Sequence, residues 1–411
     1  MKQASSHVSP QGEVDLMRND NRQMLIDSVR DYVARSYDTA ARAQSRAHPN
    51  GCVEKRWQDF AELGWLALPV PLAHGGLAGS AADVGALCEE LGRGLVNEPF
   101  VASAVSPGAL LRSLPASETV AQLQSQSASG SLRLALACWE PGHVFDTAHV
   151  TTQAIRDGAT YRLQGNKAMV AGGAAAHAFI VPARISAARL GLFLVAADAP
   201  GSHLSSASLY DGQRIANVHF DDVMAGKPLF EGPQSDVAKL LRGAMDHAIV
   251  ADCAQAVGTM QAAFDITLDY TRTRKQFGQA IAANQVVQHR LVDLYVELAQ
   301  ARALTGAAAD MLDVEPSPTS TRRRRLVAAA RASVALACKQ VWQESVQLHG
   351  AIGMTQEYVL EPFVKRLALA CVWHGSAESQ LEQLAAASLD AWQTLVSDTK
   401  PTRPPSQETA A

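Results

Sequence analysis

No apolar run in the 411 residues approaches the ~18 needed to cross a bilayer, which excludes a helical membrane span. The first 20 residues are polar and carry no apolar stretch of the secretory kind, so the chain reads as cytoplasmic. Cysteines are few and scattered. Cys52, Cys88, Cys138, Cys253, Cys338 and Cys371 form no Cys-x-x-Cys pair, and this spacing argues against a disulfide framework and against a zinc site. Most of them sit in Ala-rich, apolar contexts, where a thiol behaves as a small core residue. Charge of one sign is also missing. With 36 Lys and Arg against 40 Asp and Glu, the net charge of −4 supplies no global basic field for nucleic acid. No internal repeat is found. What remains is a globular balance, 47% hydrophobic and 18% charged, in a chain long enough for a large core.

The one local charge cluster is Arg322–Arg325, which follows the turn-like Pro316-Ser-Pro-Thr-Ser320 and opens an Ala-rich helix. Two readings stand for it: a solvated helix start, or a contact to phosphate or a partner.

Three regions separate by periodicity. After an N-terminal stretch expected to be disordered (1–20), residues 21–131 read as helical. Met24 to Ile26, Val29, Tyr32 and Val33 recur at helical spacing, as do Trp57, Phe60 and Leu63, with Gly64 as a helix end. A further helix spans Ala81 to Leu95. Residues 132–232 change to strand texture, with apolar runs at Leu132–Cys138, Ala178–Val181 and Leu190–Val195. Asp157-Gly158, Gln164-Gly165 and Gly172-Gly173 read as turns between strands. Strands this dense, with no helices between them, predict a compact barrel or orthogonal sandwich. Residues 233–397 are helical again, and 398–411, with Pro401-Thr-Arg-Pro-Pro-Ser, read as a disordered tail.

Three motifs in the last region carry more than fold. They are Arg274-Lys-Gln-Phe-Gly278, Gln347-Leu-His-Gly-Ala-Ile-Gly-Met354 and Trp373-His-Gly-Ser376. Together they resemble the acyl-CoA dehydrogenases, whose patterns are Arg-x-x-Phe-Gly, Gln-x-x-Gly-Gly-x-Gly and Tyr-Glu-Gly-Thr. Asp59 to Trp65, Gly75-Gly76 and Glu89 to Gly94 resemble the same family's N-terminal domain. The resemblance implies an α+β fold: an N-terminal helical domain, a middle β-barrel or sandwich, and a C-terminal four-helix bundle. It also implies FAD as cofactor and an acyl-CoA thioester as substrate, with flavin and thioester pinched between the middle domain and the bundle.

The resemblance assigns cofactor contacts residue by residue. Arg274 would donate to the FAD of a neighbouring subunit, with Phe277 packed beside it, and a guanidinium fork suits a pyrophosphate. Gln285, Gln347, Gly350 and Ala351 are the next contacts, where glycine would let the backbone approach the dinucleotide. Ser376 and Glu378 follow at the third motif. His349 reads as a packing or hydrogen-bonding residue. In the middle domain, Leu136-Ala-Cys138-Trp139-Glu-Pro-Gly142 corresponds to the family's flavin-ring segment, with Trp139 at a Thr and Phe145 at a Ser. Gly165-Asn-Lys-Ala-Met169-Val-Ala171-Gly172 corresponds to a second such segment, with Met169 at a Trp and Ala171 at a Thr. Three hydrogen-bonding side chains and one aromatic wall are thus replaced.

His374 stands at the position of the family's catalytic Glu, the base that takes the α-proton while the flavin takes the β-hydride. The alternative base position on an earlier helix is Ala248. Three roles stand for His374: a base, a satisfied polar residue in a vestigial site, or a different role beside flavin. The replacements resemble most the small subunit of bacterial heteromeric acyl-CoA dehydrogenases for steroid side chains, dicarboxylates and similar bulky acids. On that reading a second subunit supplies the catalytic Glu and FAD sits across the interface. Two rivals stand: a homomeric flavoenzyme, dehydrogenase or monooxygenase, using His374, and a silent subunit that only completes a partner's FAD site. An electron-transfer flavoprotein is the acceptor the family implies.

Overall fold

The computed structural model describes residues 10–398. Of the ends expected to be disordered, residues 1–9 and 399–411 lie outside the described ones, whereas 10–20 are helical. The first helix, α1, runs from Pro10 to Ser36, eleven residues ahead of the expected start. That stretch is poor in apolar residues, so periodicity gave no signal there.

Five helices follow: α2 (Thr39–Ala47), α3 (Glu54–Glu62), α4 (Ala81–Arg93), α5 (Ser106–Ser113) and α6 (Glu118–Ala128). Side chains start them. Asp38 accepts from the Ala41 N–H at 2.8 Å, Ser80 and Asp83 form a reciprocal capping box, and Ser117 accepts from the Val120 N–H. Tyr32, Trp57, Phe60 and Trp65 bury one aromatic knot, the Phe60 and Trp65 rings 4.9 Å apart. Each such side chain contributes about 1.5–3 kcal/mol through burial. A π-turn at Val101–Val105 leads directly into α5.

The middle domain holds β1 (Leu134–Leu136), β2 (Gln153–Asp157), β3 (Thr160–Ala171), β4 (Ala178–Ser186), β5 (Arg189–Ala196), β6 (Ser202–Ser208), β7 (Arg214–Gly226) and β8 (Phe230–Pro233). They form one mostly antiparallel sheet in the order β6-β7-β3-β2-β4-β5-β8, with β1 parallel to β4. The sheet curls so that β3 and β7 close over β4 and β5. Phe179, Val181 and Phe193 pack inside with Tyr161 and Phe220, while alternate residues such as Ile180 and Leu192 pack outward against α5. Gln164-Gly165 is not a turn: both residues lie within β3, where the register with β7 shifts between Leu163 and Gly165 and Gly165 has φ 145°. A bulge there bends the strand.

The C-terminal region contains α7 (Gln234–Thr273), a small hairpin of β9 (Lys275–Gln276) and β10 (Gln279–Ala280), α8 (Gln285–Val314), α9 (Thr321–His349), α10 (Glu361–Ala370) and α11 (Ala377–Asp398). α7 crosses α4 at backbone contact. A Cβ on Gly92 would lie 1.9 Å from the Gln255 carbonyl oxygen, and one on Gly258 only 1.7 Å from that of Glu89. The Thr259 hydroxyl donates to the Gly92 carbonyl across this seam at 3.1 Å.

The arginine run is a third reading, not foreseen. Arg323 is buried, donating to Asp246 at 2.8 Å and to the carbonyls of Pro316 and Gly243, while Arg322 and Arg325 are exposed. It ties the start of α9 to α7. Five of the six cysteines are buried and Cys371 is half-buried, and all six are free.

Candidate active-site cleft and outer patch

All three domains meet at one cleft, lined by the π-turn, the start of β7, one face of α7, and the α10–α11 loop. Arg366 of α10 pins the junction. It pairs with Asp211 of the β6–β7 loop and donates to Asn97 at 3.2 Å and to the Val96 carbonyl at 3.4 Å. Of the sequence-derived site residues, Cys138, Trp139, Ala171 and His374 line this cleft, and so does Ala248. Burial pushes the Cys138 thiol up to about 12, so it is an inert wall rather than a nucleophile.

His374 is buried and lies in the left-handed region, with φ 65°. Its Nε2 meets the carboxylate of Asp252 at 2.7 Å, while Nδ1 is buried with no hydrogen-bond partner among the described residues. Arg331 of α9 holds the same loop by donating to the carbonyls of Trp373 and Gly375. Gln380 donates to the His374 carbonyl at 2.8 Å.

Asp252 and Arg331 were not singled out in the sequence. A signal existed for Asp252, an acid within an apolar helix one turn beyond Ala248 and so on the same face. Nothing in the sequence tied it to a histidine 122 residues away. For Arg331, among many arginines, there was no comparable signal.

A second charged pair sits behind the cleft wall. Lys167 of β3 is fully buried and donates to Glu140 at 2.7 Å, and Thr151 and Thr152 also donate to that carboxylate. Burial alone would raise Glu140, but the Lys167 charge and these donors prevail and hold it at about 2. Burial lowers Lys167 against the pull of Glu140. Trp139 precedes Glu140 directly, so this pair fixes its backbone.

The ring-contact positions are filled by one another. Trp139 and Phe145 lie 4.8 Å apart between ring centroids, Trp139 and Trp373 6.0 Å, and Phe145 and Trp373 5.8 Å, all edge to face. Trp139 is also 6.1 Å from the His374 ring, and Met169 packs against the same cluster. These separations are contact distances for aromatic pairs. A planar ring inserted between two walls needs them about 7 Å apart, two contacts of about 3.5 Å. Here the middle-domain wall touches the α10–α11 wall. The gap between these two walls is thus closed at the three rings, while the cleft beside them stays open along α7 and the π-turn.

Arg274, Phe277, Gln285, Gln347, Gly350 and Ala351 form a separate, outer patch. Arg274 caps the end of α7 and is exposed; the turn after it places Phe277 fully in solvent, with φ 52°, followed by Gly278 at φ 84°. Gln285, the first residue of α8, is exposed as well. Gln347 and Gly350 lie beside this turn because the Tyr270 hydroxyl donates to the His349 carbonyl at 3.3 Å. The Tyr270 and His349 rings stack at 4.3 Å.

His349 is thus a packing residue, and burial lowers its pKa. Gly350 has φ 67° and ψ −144°, a conformation a side chain disfavours, and no atom lies within 4 Å of where a Cβ would stand. The glycine is required by backbone shape, and the expected steric reason is not one the chain itself supplies. Ala351 is exposed nearby, as are the apolar Ile352, Met354 and Val359. Ser376, two residues after His374 at the edge of the cleft loop, immediately precedes α11, and Glu378 in its first turn is exposed; the helix-end N–H and the Ser376 hydroxyl hold its carboxyl below the usual range. No cluster of metal-ligating side chains occurs among the described residues. No helix among them is long and apolar enough to cross a membrane.

Comparison with known proteins agrees across the whole architecture. The acyl-CoA dehydrogenase N-terminal, middle and C-terminal domain models match residues 19–112, 135–223 and 238–389. Acyl-CoA dehydrogenase IpdE2 of Mycobacterium tuberculosis is 28% identical over 380 residues, covering 91% of this chain and 98% of that protein. The solved steroid ACAD Tcur3481-Tcur3483 is 26% identical with a TM-score of 0.80, covering 92% of this chain and 99% of its own. The ChsE4-ChsE5 complex of Mycobacterium tuberculosis, 22% identical with a TM-score of 0.78, shares the fold over 93% of this chain and 98% of its own.

Proposed function

Because this chain belongs to the acyl-CoA dehydrogenases, FAD-dependent oxidoreductases acting on acyl-CoA, we propose that it works as the small, base-lacking subunit of a heteromer. A second acyl-CoA dehydrogenase chain supplies the catalytic Glu. This chain offers Arg274, Phe277, Gln285, Gln347 and Gly350 to the outer part of that partner's FAD, and its own cleft carries out no proton abstraction.

The observation that carries the reading is the state of the base position. His374 is bonded to Asp252 on one nitrogen and packed against Trp139 and Phe145, and the alternative position is Ala248. A base has to reach the α-carbon within hydrogen-bond range, and this imidazole is instead held by Asp252 and packed by the Trp139 and Phe145 rings. The exposed Phe277, Ile352, Met354 and Val359 support a partner surface around the outer patch. Two of the relatives, Tcur3481-Tcur3483 and the ChsE4-ChsE5 complex, carry paired names, which agrees with a two-chain assembly. The first is named a steroid ACAD, which favours a bulky acyl group. Electrons would leave to an electron-transfer flavoprotein.

Expression with and without a candidate second acyl-CoA dehydrogenase chain that carries the catalytic Glu tests the reading, through flavin content and complex mass. A mixed complex that alone is yellow and active is expected; a yellow, active protein from this chain alone would sink it.

One observation favours a second reading. The Asp252–His374 pair leaves Nδ1 without a partner, the arrangement of an oriented histidine base. In a homomeric flavoenzyme that nitrogen would take the proton or steer oxygen, after movement of the aromatic wall.

A further inference from the structure

We propose that Trp139, Phe145, Met169 and Trp373 form an interdomain plug that closes the gap between the middle-domain wall and the α10–α11 wall and keeps a flavin ring from entering between them. Loss of hydrogen-bond donors alone would weaken ring binding; a plug blocks it sterically. The proposal concerns this chain by itself and does not depend on the heteromer reading.

The plug is built from both sides of the cleft. Trp139 and Phe145 come from the segment between β1 and β2, Met169 from β3, and Trp373 from the α10–α11 loop. Their contacts span the seam between the middle domain and the bundle, at 4.8–6.0 Å for the three aromatic pairs. Each side is anchored independently. On the middle-domain side the Trp139 carbonyl accepts from the Ala168 N–H at 2.9 Å, and its neighbour Glu140 is clamped by Lys167, Thr151 and Thr152. On the other side Arg331 grips the carbonyls of Trp373 and Gly375.

Backbone conformation points the same way. Phe145, Met169 and His374, three of the non-glycine residues at positive φ (70°, 49° and 65°), surround this one cluster. Side-chain-bearing residues adopt that region at a cost, and such costs persist only where surrounding structure imposes them. Trp139 is buried although its indole Nε1 has no acceptor among the described residues. Its place is explained by the volume it fills rather than by a hydrogen bond.

The test uses riboflavin, which carries the ring without the adenylate and so makes no use of the Arg274 patch. The full chain is titrated with it while flavin fluorescence is followed. Wild type should show no saturable quenching. The Trp139→Ala/Phe145→Ala double variant should show it, with at least tenfold tighter apparent affinity.

Circular dichroism and Tm check the fold. If the double variant does not fold, Phe145→Ala alone, at a half-buried position, should still gain several-fold. Saturable ring quenching in wild type overturns the plug, and so does a folded variant that admits no more riboflavin than wild type. Failure of the heteromer reading would show elsewhere, as the absence of a mixed complex on co-expression.

Discussion

The cleft and the outer patch contrast in nearly every physical respect. In the cleft, aromatic side chains satisfy one another and the histidine is paired with an aspartate. In the outer patch, Arg274 and a fully exposed Phe277 on the turn after α7, Gln285 at the start of α8 and Gln347 near the end of α9 face solvent, and Tyr270 and His349 stack beneath. Apart from Ala351, the outer-patch residues match the family motifs they resemble, whereas Trp139, Phe145, Met169 and Ala171 depart from them. The difference is what a subunit completing another chain's site would show.

The largest expected effect separates the two chains of the proposed heteromer. Mutating the partner's catalytic Glu should lower the rate of flavin reduction by about 10²–10⁴-fold, the usual contribution of a positioned base. His374→Ala should leave turnover within a few fold. Rapid-mixing measurement on both variants decides it, and a loss above about a hundredfold in the His374 variant alone would transfer the base to this chain.

Next in size is the buried pair behind the cleft wall. Lys167→Met leaves Glu140 buried and unpaired, which should destabilise the chain by about 3–5 kcal/mol in denaturant unfolding. Glu140 also gives a pH signature. Its folded pKa, about 2, lies below its unfolded value. Its stabilisation is therefore complete above about pH 4.3 and is lost as pH falls toward 2. Denaturation midpoints of wild type and Glu140→Gln should converge on acidification; a gap unchanged between pH 6 and pH 3 would contradict the pairing.

The smallest effect belongs to the outer patch. Arg274→Ala should remove a charge-assisted contact of about 1.5–3 kcal/mol, lowering the FAD affinity of the assembled complex by about tenfold to a hundredfold. Unchanged affinity in an intact complex would reduce Arg274 to ordinary surface.

Much of the fold was legible because apolar periodicity reports burial directly, and the three regions follow it. What escaped were features set by distant partners. Arg323 looks like one of four solvated arginines until Asp246 and the Pro316 carbonyl enclose it. Gly165 looks like a turn residue because glycine marks turns and bulges alike. At the site, the replaced positions Trp139, Phe145, Met169 and Ala171 were legible one by one. That two of them, Trp139 and Phe145, pack against Trp373, more than two hundred residues from either, was not, since contact across domains leaves no local pattern.

The visible absorption spectrum of the purified chain, expressed without any partner, tests the central claim most directly. The claim is that this chain does not hold the flavin ring on its own. A nearly colourless protein that gains a bound-flavin spectrum only when co-purified with a second dehydrogenase chain is the expected result. Near-stoichiometric flavin with a resolved, bound-type band in the chain alone would contradict it.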